Sequence, residues 1–184
     1  MNATSTPVRP GLARPSVVDQ IWSWLRAVTD PEIPVVSVVD LGIVRDVAWS
    51  EDTHTCIITI TPTYSGCPAT AVIQSLIREE LEKHGIQRVR LRIQLSPAWT
   101  TDLLSPQARE SLREFGIAPP AGRAAEPSTS MLPVLASDTS QPTPACPHCG
   151  STRTSSISQF GSTLCKALYR CHDCLEPFDY FKCH

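Results

Sequence analysis

Two C-x-x-C pairs, Cys146 with Cys149 in CPHCG and Cys171 with Cys174 in RCHDC, are separated by 21 residues. No other feature restricts so closely what the C-terminal part of this chain can fold into. Each pair presents two thiolates to one face of a tetrahedral ion, and two such knuckles close its coordination sphere. The spacer slightly exceeds the usual window, yet SQFGSTLCKALYR within it has room for the strand and turn of a ribbon. A segment of about 40 residues cannot build a sufficient core alone, so metal binding has to supply much of its folding free energy. Cys146, Cys149, Cys171 and Cys174 are therefore predicted ligands, against the alternative of redox or unliganded thiols. Zinc suits four thiolates with no open position, and iron in the same sulfur cage is the alternative. His148 and His172 read as solvated loop residues, because four cysteines already complete the site. Cys165, Cys183 and His184 are spare: they read either as small buried apolar residues, the reading favoured for Cys165, or as a second labile thiol set.

The cysteines also divide the chain. Of eight, only Cys56 and Cys67 precede residue 146. Residues 117–144 hold six prolines among Ala, Ser and Thr with no sustained apolar period, which reads as a mobile linker. The expected organisation is a disordered segment over 1–15, an α/β domain over 16–116, the linker over 117–144 and a ribbon over 145–184. The N-terminal MNATSTPVRPGLARP has no apolar core of signal-peptide length, and no run approaches a membrane span. A cytoplasmic protein is expected, and in a reducing compartment many cysteines point to metal or thiol chemistry rather than disulfides. A net charge of -2 and a nearly neutral ribbon predict no nucleic-acid partner. The ribbon aromatics Phe178, Tyr180 and Phe181 read as packing around the knuckles.

In the first unit, Val17, Val18, Ile21, Trp22, Leu25 and Val28 recur at helical spacing after a Ser16/Asp19 capping pair, predicting a helix from about 16 to 29. IVRDVAW alternates Ile43, Val47 and Trp49 on one side, and a polar turn joins it to CIITITPT as an antiparallel hairpin. Val72, Ile73, Leu76, Ile77 and Leu81 then mark a second helix, with Gly85 at its C-terminal cap. RVRLRIQL follows as a strand with Val89, Leu91, Ile93 and Leu95 on one face. A strand, helix, strand crossover makes its strands parallel, so the fold class is a two-layer α/β (α+β) domain: a small mixed sheet with helices on one face. A last helix is capped by Ser105, starts at Pro106 and stops at Gly116.

Cys67 stands at the predicted start of the second helix, with Pro68 at its tolerated first position. Unsatisfied N–H groups and the positive helix end there favour thiolate, the form that attacks electrophiles or binds soft metals. No histidine lies nearby in sequence to act as a base, which disfavours a nucleophilic enzyme. In DPEIPVVSVVDLG, Asp30, Glu32 and Asp40 suit acid–base chemistry or a hard-metal site, and equally suit turn-forming roles, with Gly42 closing the second turn.

DPEIPVVSVVDLGIVRDV, followed by TPTYSGCPA, resembles the small α/β domain of iron-sulfur cluster assembly and maturation proteins. FGSTLCKALYRC and EPFDYFK, with the two C-x-x-C pairs, are similar to the tail of one branch, encoded with the phenylacetyl-CoA epoxidase system. The resemblance implies a non-catalytic accessory of aerobic phenylacetate degradation that helps install or repair a metal cofactor. Its implied partners are the oxygenase and reductase subunits or iron-sulfur assembly proteins. It carries a labile-thiol role to Cys67, with transient iron-sulfur binding as an implied cofactor function. Asp30, Pro31, Glu32, Asp40, Gly42, Thr63, Gly66 and Pro68 become site-forming positions. One thiol cannot complete a cluster's coordination, so a homodimer, a partner cysteine or a small thiol has to complete it. The competing expectation is a stoichiometric structural subunit that docks through its ribbon.

Overall fold

The computed structural model describes residues 16–120 and 143–182; the expected disordered segment over 1–15, most of the linker, Cys183 and His184 lie outside these residues. The first helix, α1 (Val17–Leu25), forms where expected at its start. Ser16 Oγ accepts the Asp19 N–H at 3.1 Å, and Asp19 Oδ2 accepts the Ser16 N–H at 3.0 Å, a reciprocal capping box. It ends four residues earlier than the periodicity suggests, because Val38 N–H donates to Val28 O and Asp30 N–H to Val36 O. The apolar residues of the DPE loop thus continue the buried stripe without helical backbone.

Strands β1 (Val44–Ser50) and β2 (Thr55–Ile60) pair antiparallel, and β3 (Val89–Ile93) pairs parallel to β2, giving the order β1-β2-β3. The predicted mixed sheet is present. A bulge between Val44 and Asp46 lets Ile43, Val44 and Val47 all face inward, where strict alternation would turn one of them out. The crossover helix α2 (Ala69–Lys83) lays Ile73, Ile77 and Leu81 on the sheet, each burial contributing about 1.5–3 kcal/mol. Val72 lies outside that stripe and is exposed. The expected one-sided β3 is only half realised: Val89 and Leu91 pack on the core, but Ile93 and Leu95 are exposed beyond the reach of the covering helices.

After a short 3-10 turn (Thr101–Leu103), α3 (Pro106–Glu114) starts under Ser105, whose Oγ accepts the Ala108 N–H at 3.0 Å. Gly42 sits where this segment crosses the DLG turn. Its φ is +69°, and a β-carbon there would fall 2.6 Å from Leu103 Cβ and 2.7 Å from Leu103 O. A Gly42→Ala chain is expected to lose about 2–3 kcal/mol, from left-handed backbone and overpacking together. Urea denaturation read by circular dichroism checks this, and a shift in midpoint equivalent to less than about 1 kcal/mol removes the close-approach account.

Residues 117 and 118, read as the start of the linker, instead form β4 (Ile117–Ala118). It joins β5 (Thr154–Ser158), β6 (Lys166–Cys171) and β7 (Pro177–Phe181) in a second sheet ordered β4-β7-β6-β5. The physical reason is that Ile117 is apolar and continues directly from α3, so its backbone pairs with Asp179 and Tyr180 of β7 as its side chain is buried. Cys165 and Phe181 belong to the same buried cluster as α1 and β2, so the ribbon packs against the α/β domain. Among the described residues, no helix is long and apolar enough to cross a membrane.

Candidate functional site

The ribbon knuckles are built by local backbone hydrogen bonds. Gly150 N–H donates to Cys146 O and Cys146 N–H to Ser151 O, while Cys171 N–H donates to Glu176 O. Each C-x-x-C pair is followed by a residue of positive φ, Gly150 at 75° and Leu175 at 68°, which turns the chain back so that both sulfurs point inward. The four sulfur atoms lie within 4.8 Å of one another, with 3.7 Å between Cys146 and Cys174 and 3.5 Å between Cys149 and Cys171. A tetrahedral zinc ion with bonds of about 2.3 Å sets sulfur separations of about 3.8 Å, so the donors fit such an ion. Backbone N–H groups of Cys174 and Asp173 hold the Cys171 thiol down to about 6, the latter donating at 3.4 Å to its sulfur. His148 and His172 are exposed, as expected of residues outside the ligand set, and Phe178, Tyr180 and Phe181 are buried.

A second constellation surrounds Cys67. Cys67 precedes the N-cap of α2, its N–H donating to Tyr64 O and its carbonyl accepting from Thr70 N–H. Cys67 lines a cavity of about 20 Å³ together with Asp30, Glu32, Thr63, Cys165 and Phe181. Three chain segments meet there: the DPE loop, the β2–α2 loop and the ribbon. Asp30 is buried and holds its loop through Oδ1, which accepts the Glu32 and Ile33 N–H groups at 2.8 and 3.0 Å. Burial pushes the carboxyls of both Asp30 and Glu32 up, despite those bonds to Asp30 and the positive Lys166 nearby. Burial, and then the hydrogen bond to Cys67, likewise pushes the Tyr64 phenol up.

A raised carboxyl pKa means that the folded chain takes up protons more readily than the unfolded chain. The two groups therefore cost stability at neutral pH, and the cost fades as pH falls through their folded values toward the ordinary carboxylate range. Asp30→Asn, which keeps an acceptor for the two N–H groups, is expected to be at least as stable as the parent at pH 7. Its advantage is expected to shrink toward pH 4. Thermal melts across that range check the sign, and an advantage that grows on acidification contradicts it.

The structure brings Asp30, Glu32, Thr63 and Cys67 to one cavity and leaves the other expected site positions outside its lining. Pro31, Gly66 and Pro68 are exposed neighbours of lining residues, with Gly66 at φ 85° shaping the Cys67 turn. Asp40 and Gly42 act in the scaffold. Asp40 Oδ2 accepts Ser37 Oγ–H at 2.6 Å, and Asp40 Oδ1 accepts Arg26 Nη1–H at 3.3 Å and Ser105 Oγ–H at 3.2 Å, tying the end of α1 to the start of α3. Cys165 is buried, as its favoured reading has it, but local sequence reasoning does not find that it also lines the Cys67 cavity. Its signal is the single cysteine inside the spacer, which the tetrahedral set does not need. Cys56 is a fully buried strand residue, its thiol pushed up to about 11 by burial.

Two family models match the chain. One, described as iron-sulfur cluster assembly protein, matches residues 18–89, and one described as PaaD zinc beta ribbon domain matches residues 132–182. Fold and site thus define a class, an iron-sulfur cluster assembly-type α/β domain carrying a four-cysteine zinc ribbon. The chain is 50% identical over 169 residues to a protein of Escherichia coli (strain K12) named as a putative subunit of 1,2-phenylacetyl-CoA epoxidase, covering 92% of this chain and 94% of that one. The chain belongs to the same family as that epoxidase subunit. Two solved structures are also similar. A domain of unknown function from Bacillus anthracis is 30% identical, covering 52% of this chain and 90% of its own, with a TM-score of 0.48. A Mycobacterium tuberculosis protein associated with Fe-S complex assembly and repair is 31% identical, covering 59% and 98%, with a TM-score of 0.34.

Proposed function

We propose that this chain is a non-catalytic maturation factor for a phenylacetyl-CoA epoxidase system in aerobic phenylacetate degradation. Its task is to assist assembly or repair of an iron or iron-sulfur cofactor in an oxygenase or reductase component, and Cys67 is the labile thiol that makes the transient bond. The observation that carries this reading is the convergence of Cys67, Asp30 and Glu32 on one cavity, in a chain whose relative is named as a subunit of that enzyme. Cys67 belongs to a turn with nearby carboxylates and no basic side chain in the lining, an arrangement suited to a cationic cargo rather than to a nucleophile activated by a base. The ribbon ion, zinc in this reading and iron as its alternative, is structural because four sulfurs leave no open position.

The partners in this reading are the oxygenase and reductase components or iron-sulfur assembly proteins, met in the cytoplasm. A homodimer is supported by β3, an edge strand with Ile93 and Leu95 exposed at its end, and analytical ultracentrifugation tests it. Host cells carrying Cys67→Ser are expected to make oxygenase and reductase components with iron and cluster content reduced at least about tenfold. A thiol-to-hydroxyl change at a half-buried loop leaves the fold intact, which thermal melting checks. Wild-type cofactor content in those cells overturns the reading. A stoichiometric structural subunit is the second reading, favoured by the name of the Escherichia coli relative, and constant-ratio co-purification with the oxygenase supports it over a transient factor.

A further inference from the structure

The ribbon supplies a second thiol to the cavity at Cys67. Cys165 is buried immediately before β6 and lines the same cavity as Cys67 and Glu32, although it comes from the other module. We propose that Cys67, Cys165 and Glu32 form a second, exchangeable site for a single thiophilic divalent transition-metal ion such as Fe(II). This rests on the reading of Cys67 as a cofactor-handling thiol and narrows its cargo to a mononuclear ion.

Size favours a single ion. A cavity of about 20 Å³ has room for one small body, which suits a bare ion. The donors decide the class of ion. Two thiolates select zinc-like or ferrous ions over magnesium or calcium, and Glu32 adds an oxygen ligand from the DPE loop. Charge agrees: Asp30 and Glu32 face the cavity, and the nearby Lys166 is ion-paired to Asp179 Oδ2 at 3.1 Å. Asp30 has Oδ1 engaged with backbone N–H groups, so its role is to hold the loop that carries Glu32.

Lability follows from the contrast with the ribbon centre. Among the described residues, only Cys146, Cys149, Cys171 and Cys174 already have their donor atoms clustered within 4.8 Å. An ion at the second site has to draw its donors together by side-chain rotation, which weakens binding and permits release. Binding forms two metal–sulfur bonds and one metal–oxygen bond to Glu32, displaces water ligands from the ion, releases two S–H protons to solvent and leaves the metal's oxidation state unchanged. Because the donors belong to two modules, a loaded site also fastens the ribbon to the α/β domain.

The test uses the full chain with its ribbon filled with zinc, titrated anaerobically with Co(II), while released zinc is measured. Wild type is expected to take up one further cobalt, with the thiolate-to-cobalt charge-transfer intensity of two thiolates. Cys165→Ala and Cys67→Ala are each expected to halve that intensity and to weaken cobalt binding by about tenfold or more. Alanine suits the buried Cys165 position, and an unchanged melting curve shows that packing is preserved. Absence of a second cobalt in wild type, or wild-type binding by Cys165→Ala, overturns the inference. If Cys165→Ala binds as wild type while Cys67→Ser cells lose client cofactor, the maturation function stands and this site falls. If the two-thiolate band is present but client cofactor survives Cys67→Ser, the site stands and the function falls.

Discussion

Cys171→Ser is expected to purify with its ribbon metal lost and the ribbon unfolded. Cys171 is fully buried at the end of β6, and its backbone and sulfur anchor one knuckle through Glu176 O and the Asp173 N–H. A serine hydroxyl there does not replace a thiolate. The buried cluster that belongs to the ribbon itself is small: Ala118, Cys146, Ala167, Cys171, Phe178 and Tyr180, of which two belong to the four-cysteine cluster. Structural zinc in modules of this kind binds with an apparent free energy of about 10–16 kcal/mol, far more than so small a cluster contributes. Metal analysis is expected to fall from one equivalent to none. Amide exchange over 143–182 is expected to reach the unprotected rate, while α2 and β1–β3 stay protected. Retention of the metal with protected ribbon amides contradicts the four-thiolate assignment.

Phe181→Ala is expected to cost about 3–5 kcal/mol, the range for removing a fully buried aromatic ring. Phe181 is 1% exposed, and its ring meets Trp99 edge-on at 5.9 Å, while Trp99 Nε1–H donates to Leu41 O at 2.8 Å. This chain of contacts fastens β7 to the DLG turn. The loss is therefore expected at the junction between modules, with the ribbon metal retained because its sulfurs lie in the knuckles and not at Phe181. Limited proteolysis is expected to separate an intact metal-bound ribbon from the α/β domain. Unchanged stability, or loss of the metal along with docking, removes this account. Because Phe181 also lines the Cys67 cavity, the same substitution is expected to enlarge that cavity.

Much of the architecture is legible locally. The capping box at Ser16, the helix stripe at Ile73, Ile77 and Leu81, and Ser105 with Pro106 at α3 are short-range patterns whose physics acts within one or two turns. The end of α1, the bulge after Val44 and the strand formed by Ile117 and Ala118 are not, because each is decided by hydrogen bonds beyond a single turn, from within the DPE loop for α1 to the other module for Ile117 and Ala118. The candidate site divides in the same way. Asp30 and Asp40 share a local signature of carboxylates in turns, yet one faces a cavity and the other ties α1 to α3.

The sequence by itself determined the four-cysteine centre. Two C-x-x-C pairs carry their own geometry, since each knuckle is closed by bonds within a few residues and their four sulfurs are spaced to share one ion. It also determined the strand and helix order from which the mixed sheet follows. Only the tertiary structure decided which side chains keep company with Cys67. Cys165 is 98 residues further along the chain, and it lines the same cavity as Cys67 because burial of Phe181 and Ile117 draws the ribbon onto the α/β domain. Spacing encodes contacts made within a turn or a knuckle; contacts between modules are encoded only in the fit of their buried faces.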